Sequence, residues 1–375
     1  MSKKRLSQYG ICSIICLLIC SCSRDDFPTE PVYKSVLPYE AVVAKWHQNH
    51  TAAISLAYDH GAPTNDMNKQ IQQYVLENGI TLDYEIVTER YLKYPFLKDY
   101  LVQTLIPSGF GYFGHGHSHI NHDNLYYDQA LASFKECYDT MVSFGLKPIA
   151  YAYPEGAGHK CDTREALENA GFLSGRMHFT KDMTNPYIVP DDQLEPRDWF
   201  GLPTLVMQDY AFMQCSKCVN DDEELKGYLE QAIVKKAWII LTYHAIGEEQ
   251  NYGFFKWSEF QKNIKTIKEY DFWCASLNDL TLYIRERKNA VIEGFRFLDE
   301  YDNLQKIEFV FSDDLPNEVY DQPLTILFEL PYTWIGPSFE LWENSTCIDT
   351  VTFNSRQGMI SVRPSESLYK LTKIH

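Results

Sequence analysis

From residue 51 onward, short apolar runs alternate with longer stretches of helical period. Residues 52–58 form a nearly unbroken apolar run of strand length, and helical spacing follows over 68–78, closed by Gly79. Ala130, Phe134, Cys137, Met141 and Phe144 recur three or four apart, and Gly145 ends that helix. The same reading predicts strands at 148–153, 238–243 and 272–276, and helices at 222–237, 257–270 and 277–288. Repeated strand-then-helix units across 51–290 imply a parallel sheet wrapped by helices, as in an α/β barrel. Near residue 290 the rhythm changes. Ile307, Phe309 and Phe311 alternate with polar residues, and strand-like runs at 324–330, 339–342 and 359–362 are separated by Pro, Gly, Asn and Asp. Residues 291–375 therefore read as a small all-β domain, a sandwich.

The beginning of the chain reads differently. Lys3, Lys4 and Arg5 precede an apolar run over 11–20 that is too short to cross ~30 Å of hydrocarbon but suits the core of a signal peptide. Ile19-Cys20-Ser21-Cys22 resembles a bacterial lipobox, which places cleavage before Cys22 and a lipid on its thiol and new amino terminus. The competing reading is an uncleaved signal anchor. Ser23-Arg24-Asp25-Asp26 resembles the acidic stretch that sends lipoproteins of some Gram-negative bacteria to the cell surface. The expected location is thus the outer membrane, surface-exposed. Residues 22–50, with Pro28, Pro31 and Pro38, read as a tether.

Composition narrows the partners. The 51 acidic side chains outnumber the 34 basic ones for a net charge of −17, which argues against nucleic acid or a bare anionic membrane as the main partner. Aromatic residues make up 14% of the chain, 26 of them Tyr. They can be core rings or sugar-stacking platforms, and composition alone leaves both open. Outside the signal and Cys22, cysteines stand at 137, 161, 215, 218, 274 and 347. Cys215-x-x-Cys218 is the one close pair. It lacks the two further ligands of a zinc knuckle and reads as a local disulfide or a free pair.

Catalytic groups of a barrel gather where strands run out. The first such place is Ser55-Leu56-Ala57-Tyr58-Asp59-His60-Gly61. The second is Gly114-His115-Gly116-His117-Ser118-His119-Ile120-Asn121-His122-Asp123, where four histidines crowd together. His115 and His119 are four apart, so one helical turn would aim both imidazoles at one divalent ion. His117 and His122 compete with them. The third place is Leu241-Thr242-Tyr243-His244.

These segments resemble a known family. SLAYDHG is similar to the SLTFDDG signature of NodB-type polysaccharide deacetylases, carbohydrate esterases built on a distorted (β/α) barrel. HGHSH matches that family's His-x-x-x-His segment, and LTYH its late Leu-x-x-His. Ala150-Tyr151-Ala152-Tyr153-Pro154-Glu155-Gly156 resembles Arg-x-Pro-Tyr-Gly. Ala170-Gly171-Phe172 followed by Arg176 resembles the next strand start, and Glu195-Pro196-Arg197-Asp198-Trp199 is the loosest match, to Asp-x-x-Asp-Trp. The resemblance implies Asp59 as general base and His244 as general acid. It implies a divalent metal, zinc first, held by His60, His115 and His119, and the Glu155 N–H as an oxyanion donor. Two positions depart from the family. His60 stands where a carboxylate ligand is usual, which would make a three-imidazole site, and the Arg that braces the base falls at Ala152, leaving Arg176 or Arg197 to reach in. The implied activity is removal of acetyl groups from an acetylated polysaccharide or oligosaccharide. The rivals are a non-catalytic glycan-binding lipoprotein on the same barrel and a metal hydrolase acting on a non-acetyl bond.

Overall fold

The computed structural model describes residues 40–60, 63–178, 185–209, 218–300 and 303–374. The expected lipidation site, Cys22, and Cys215 lie outside them. Residues 42–46, expected to end a tether, are instead part of the fold. Strand β1 (Val42–Val43) pairs antiparallel with a strand of the C-terminal domain, and Trp46 is fully buried. Burial of this indole, which donates to the Lys236 carbonyl at 3.1 Å, anchors the last residues of the expected 22–50 tether, whose prolines lie outside the described residues.

Eight parallel strands make the larger domain: β2 (Ala52–Tyr58), β3 (Asp83–Ile86), β4 (Gly111–Gly114), β5 (Ala150–Ala152), β6 (Ser174–Arg176), β7 (Leu205–Val206), β8 (Trp238–Tyr243) and β9 (Phe272–Cys274). Their order is β6-β5-β4-β3-β2-β8-β7, with β9 paired to the first half of β2. Beside β6 the backbone of Trp199 and Leu202 hydrogen-bonds to Gly175 and Met177, and the same stretch continues into β7 against β8. The two edges of the curled sheet therefore meet through one segment. This is a distorted (β/α) barrel. Every residue of β2 and β8 is buried, because helices cover one face and the barrel interior fills the other.

Five longer helices matter most for support. They are α1 (Asp66–Glu77), α4 (Tyr127–Ser143), α6 (Asp222–Lys235), α7 (Trp257–Ile267) and α8 (Leu277–Asn289); α2 (Thr88–Lys93), α3 (Pro95–Tyr100) and α5 (Cys161–Asn169) are shorter. Caps fix their starts: Asn65 accepts from Asn68 N–H, Asp221 from Glu224 N–H and Ser276 from Asp279 N–H. α6 ends at Lys236, a left-handed residue at φ 49°.

The C-terminal domain is a sandwich. One sheet orders as β10 (Val291–Glu300), β11 (Asn303–Ser312), β16 (Ser365–Lys373), β13 (Ser338–Glu343) and β14 (Thr346–Thr352). The other joins β1, β12 (Leu324–Glu329) and β15 (Gln357–Val362). The alternation of Ile307, Phe309 and Phe311 points all three into the shared core, with Leu371 and Tyr369 opposite the first two. Helix α8 ties this domain to the barrel. Tyr283 donates to the Ala44 carbonyl at 3.0 Å, and both Glu286 oxygens accept from the Gln322 N–H at 3.1 Å. Among the described residues, no helix is long and apolar enough to cross a membrane.

Candidate active site

Because the strands run parallel, the residues that end or follow them crowd one face of the barrel. There they line a cavity of about 650 Å³ that includes Asp59, Glu85, His115, His119, His178 and His244. Asp59 N–H extends the ladder to the Tyr243 carbonyl at 2.8 Å, and His115 N–H bonds Ile86 at 2.9 Å, so the strand ends themselves set these side chains.

Asp59 is buried against Arg176, whose Nη2 donates to Asp59 Oδ1. Burial alone would raise this carboxyl, but Arg176, together with His115 and His244, holds it well below the usual range. The brace expected at Ala152 is therefore supplied from β6 by Arg176; Arg197 is exposed and lines a separate cavity.

The His-x-x-x-His segment is not helical. His115 follows β4, Gly116 turns at φ 84°, and His119 takes a left-handed φ of 52°. This fold-back, rather than a helical turn, brings the two imidazoles to a centroid separation of 4.9 Å. His115 Nδ1 lies 2.9 Å from the Ala152 carbonyl and donates to it, which leaves the Nε2 lone pair aimed inward. That nitrogen is 3.4 Å from Glu85 Oε2. The competitors point elsewhere. His117 Nδ1 pairs with Thr88 Oγ1 at 2.9 Å, and His122 is stacked on Phe134 with its Nε2 at 3.0 Å from Ser133 Oγ.

Among the described residues, the ligand atoms of Glu85, His115 and His119 lie within 4.8 Å of one another, and so do those of Asp59, His178 and His244. The set His60–His115–His119 is not gathered. His60 Nε2 is turned to Glu248 Oε2 at 2.8 Å, and the carboxylate grouped with His115 and His119 is Glu85 of β3. Two imidazoles and one carboxylate are a set that catalytic zinc takes, with positions left for water and substrate. The electrostatics fit a cation. Burial, then Asp59, push the Glu85 carboxyl up to about 7 although Arg90 Nη1 donates to it at 3.0 Å, and burial pushes His115 down to about 3. A buried carboxylate oxygen facing an imidazole lone pair is short of positive charge at that point.

His244 is 8% exposed, and burial pushes it down to about 4 against the pull of Asp59, so its resting form is neutral. Its buried Nδ1 has no hydrogen-bond partner among the described residues, and the His178 ring stands 6.0 Å away. Glu155 also lines the cavity, at φ 54° in the single turn Pro154–Gly156. The Glu195–Trp199 motif lies apart from it. Asp198 receives Arg164 there, and Trp199 lies under Arg285 at 4.3 Å, which makes this motif a packing element. Cys218 is disulfide-bonded, while Cys137, Cys161, Cys274 and Cys347 are free.

Glu85 and His178 had no place in the sequence reading. The one signal for Glu85 is the alternation of acids with apolar residues in Leu82-Asp83-Tyr84-Glu85-Ile86, and both acids are buried. His178 had a weaker signal, two residues beyond Arg176.

The curled parallel sheet thus gathers carboxylates and imidazoles at its C-terminal face. No protein-family model and no curated protein matches the sequence. Solved structures do match. One described as a polysaccharide deacetylase from Mycobacterium smegmatis is 15% identical at a TM-score of 0.49, covering 68% of this chain and 96% of its own. The allantoinase PuuE is 14% identical at 0.46, over 68% and 96%. A CE4-family pseudoenzyme from Bacillus anthracis is 10% identical at 0.41, over 63% and 66%.

Proposed function

We propose that this chain is a metal-dependent hydrolase that removes acetyl groups from an acetylated polysaccharide or oligosaccharide at the cell surface, tethered to the outer membrane through Cys22. The observation that carries the reading is the pairing of two features in one cavity. One is the inward-facing Glu85 Oε2 and His115 Nε2 beside His119; the other is Asp59 held ionised by Arg176. Glu85, His115 and His119 would hold the divalent ion. When bound, such an ion polarises an acyl carbonyl and acidifies water. Asp59 is placed to take the proton of the attacking water, and Arg176 keeps it charged to do so. The proton must then reach the leaving oxygen or nitrogen. His244, neutral at rest and grouped with Asp59 and His178, can accept that proton and hand it on. The Glu155 N–H is the oxyanion donor in this reading.

The second reading, a glycan-binding lipoprotein without catalysis, draws on the departure at His60. Acetate release from a panel of acetylated glycans by the purified mature protein separates the two. Release should fall to background after chelation and return with zinc. Release indifferent to chelation, or absent across the panel, contradicts the proposal.

A further inference from the structure

The loop after β8 carries a large aromatic side chain to the mouth of the cavity. Tyr252 is 61% exposed, yet it lines the cavity and stands perpendicular to the buried His244 ring, with centroids 5.2 Å apart. The loop is pinned at its base, where Gly247 N–H bonds the Phe255 carbonyl at 2.8 Å and Phe255 N–H bonds Ala245 at 3.1 Å. Gly253, at φ 69°, passes so close to His244 that a Cβ there would sit 2.6 Å from the His244 Cβ. A second tie comes from His60 and Asn65, which follow β2. Glu248 accepts from Asn65 Nδ2 at 2.8 Å and Asn251 Nδ2 at 2.5 Å, and pairs with His60 Nε2 at 2.8 Å.

We propose that Tyr252 is a sugar-stacking residue of this cavity, held over the catalytic groups by the His60–Glu248 pair. The inference rests on the reading of the cavity as a glycan site. The face of an aromatic ring carries partial negative charge, and a pyranose presents a face of C–H bonds with partial positive charge, so the two stack. An exposed ring next to a buried imidazole suits that contact, because it loses water only when a sugar arrives. The ligand class is an acetylated pyranoside, with Asn251 beside the ring as a hydrogen-bonding partner for its hydroxyls. His60 is then a positioning residue. It fixes the loop that bears Tyr252 and does not bind metal.

Calorimetric titration of the zinc-loaded protein with penta-N-acetylchitopentaose and with acetylated xylopentaose tests this. Tyr252→Ala should weaken the tighter of the two by about three- to tenfold, the worth of one aromatic contact, while Tyr252→Phe stays within about twofold of wild type. His60→Ala should weaken binding similarly and keep the wild-type zinc content, and His60→Gln, which restores a donor to Glu248, should recover affinity. The proposal is overturned if Tyr252→Ala binds normally, if Phe is as damaging as Ala, if His60→Ala loses its zinc, or if wild type binds neither sugar. Tyr252-dependent binding without acetate release supports this inference and removes the deacetylase reading.

Discussion

Asp59 and Glu85 are two buried carboxylates in one cavity, and their neighbours set them apart. Asp59 has a guanidinium in direct contact and stays ionised; Glu85 shares Arg90 at its outer oxygen and leaves its inner oxygen facing His115. The first environment suits a base, the second a ligand. Asp59→Asn keeps the size of the side chain and the burial of Arg176 but removes the proton acceptor. Acetate release should fall ~10²–10⁴-fold, with zinc content unchanged. Near-normal turnover in that variant would remove Asp59 from the role. The sequence nominated Asp59, His115, His119 and His244 because each follows an apolar run or sits in a dense His segment. Arg176 was legible only as one of two possible braces. Glu85 was hidden, since an acid alternating with apolar residues looks like a solvated strand face until the barrel closes over it.

Elements were legible where burial is uniform. β2, β8 and helices α4 and α6 to α8 lie within a few residues of the expected spans, because a run buried on both faces or a strict helical stripe admits one reading. Irregular backbone was not. The Gly116 and His119 dihedrals that fold the His segment back depend on packing that local spacing does not encode. Helix α8 shows how an element joins two domains. Glu286 is fully buried, and burial pushes its carboxyl from 4.5 up to about 8, with Asp313 and Asp321 adding to the shift while the Gln322 N–H and Arg363 oppose it. The folded pKa is raised above the unfolded one, so this stabilisation is whole below about pH 4.5 and is lost as pH rises through about 8. The melting temperature should therefore fall between pH 5 and 8.5, and Glu286→Gln should flatten that slope. An identical slope in the variant would show that Glu286 does not couple folding to pH.

At the scale of the whole molecule, the boundary near residue 290 was legible as a change of hydrophobic period, and the structure turns from α8 directly into β10 there. The N-terminal segment was not, because Val42–Val43 becomes a strand only beside Leu327 and Ile326 of β12, which lie far along the chain. The long connection brings both ends of the described chain onto one sandwich and leaves the open face of the barrel to Asp59, Glu85 and the histidines. The central proposal for that face is that the Glu85 carboxylate of β3 replaces the one absent at His60. Metal analysis of the purified protein and its Glu85→Gln variant tests this most directly, since an amide is a far poorer ligand than a carboxylate. Wild type should carry about one equivalent of zinc, and Glu85→Gln should lose most of it. A Glu85→Gln protein that keeps its full equivalent of zinc would contradict the proposal.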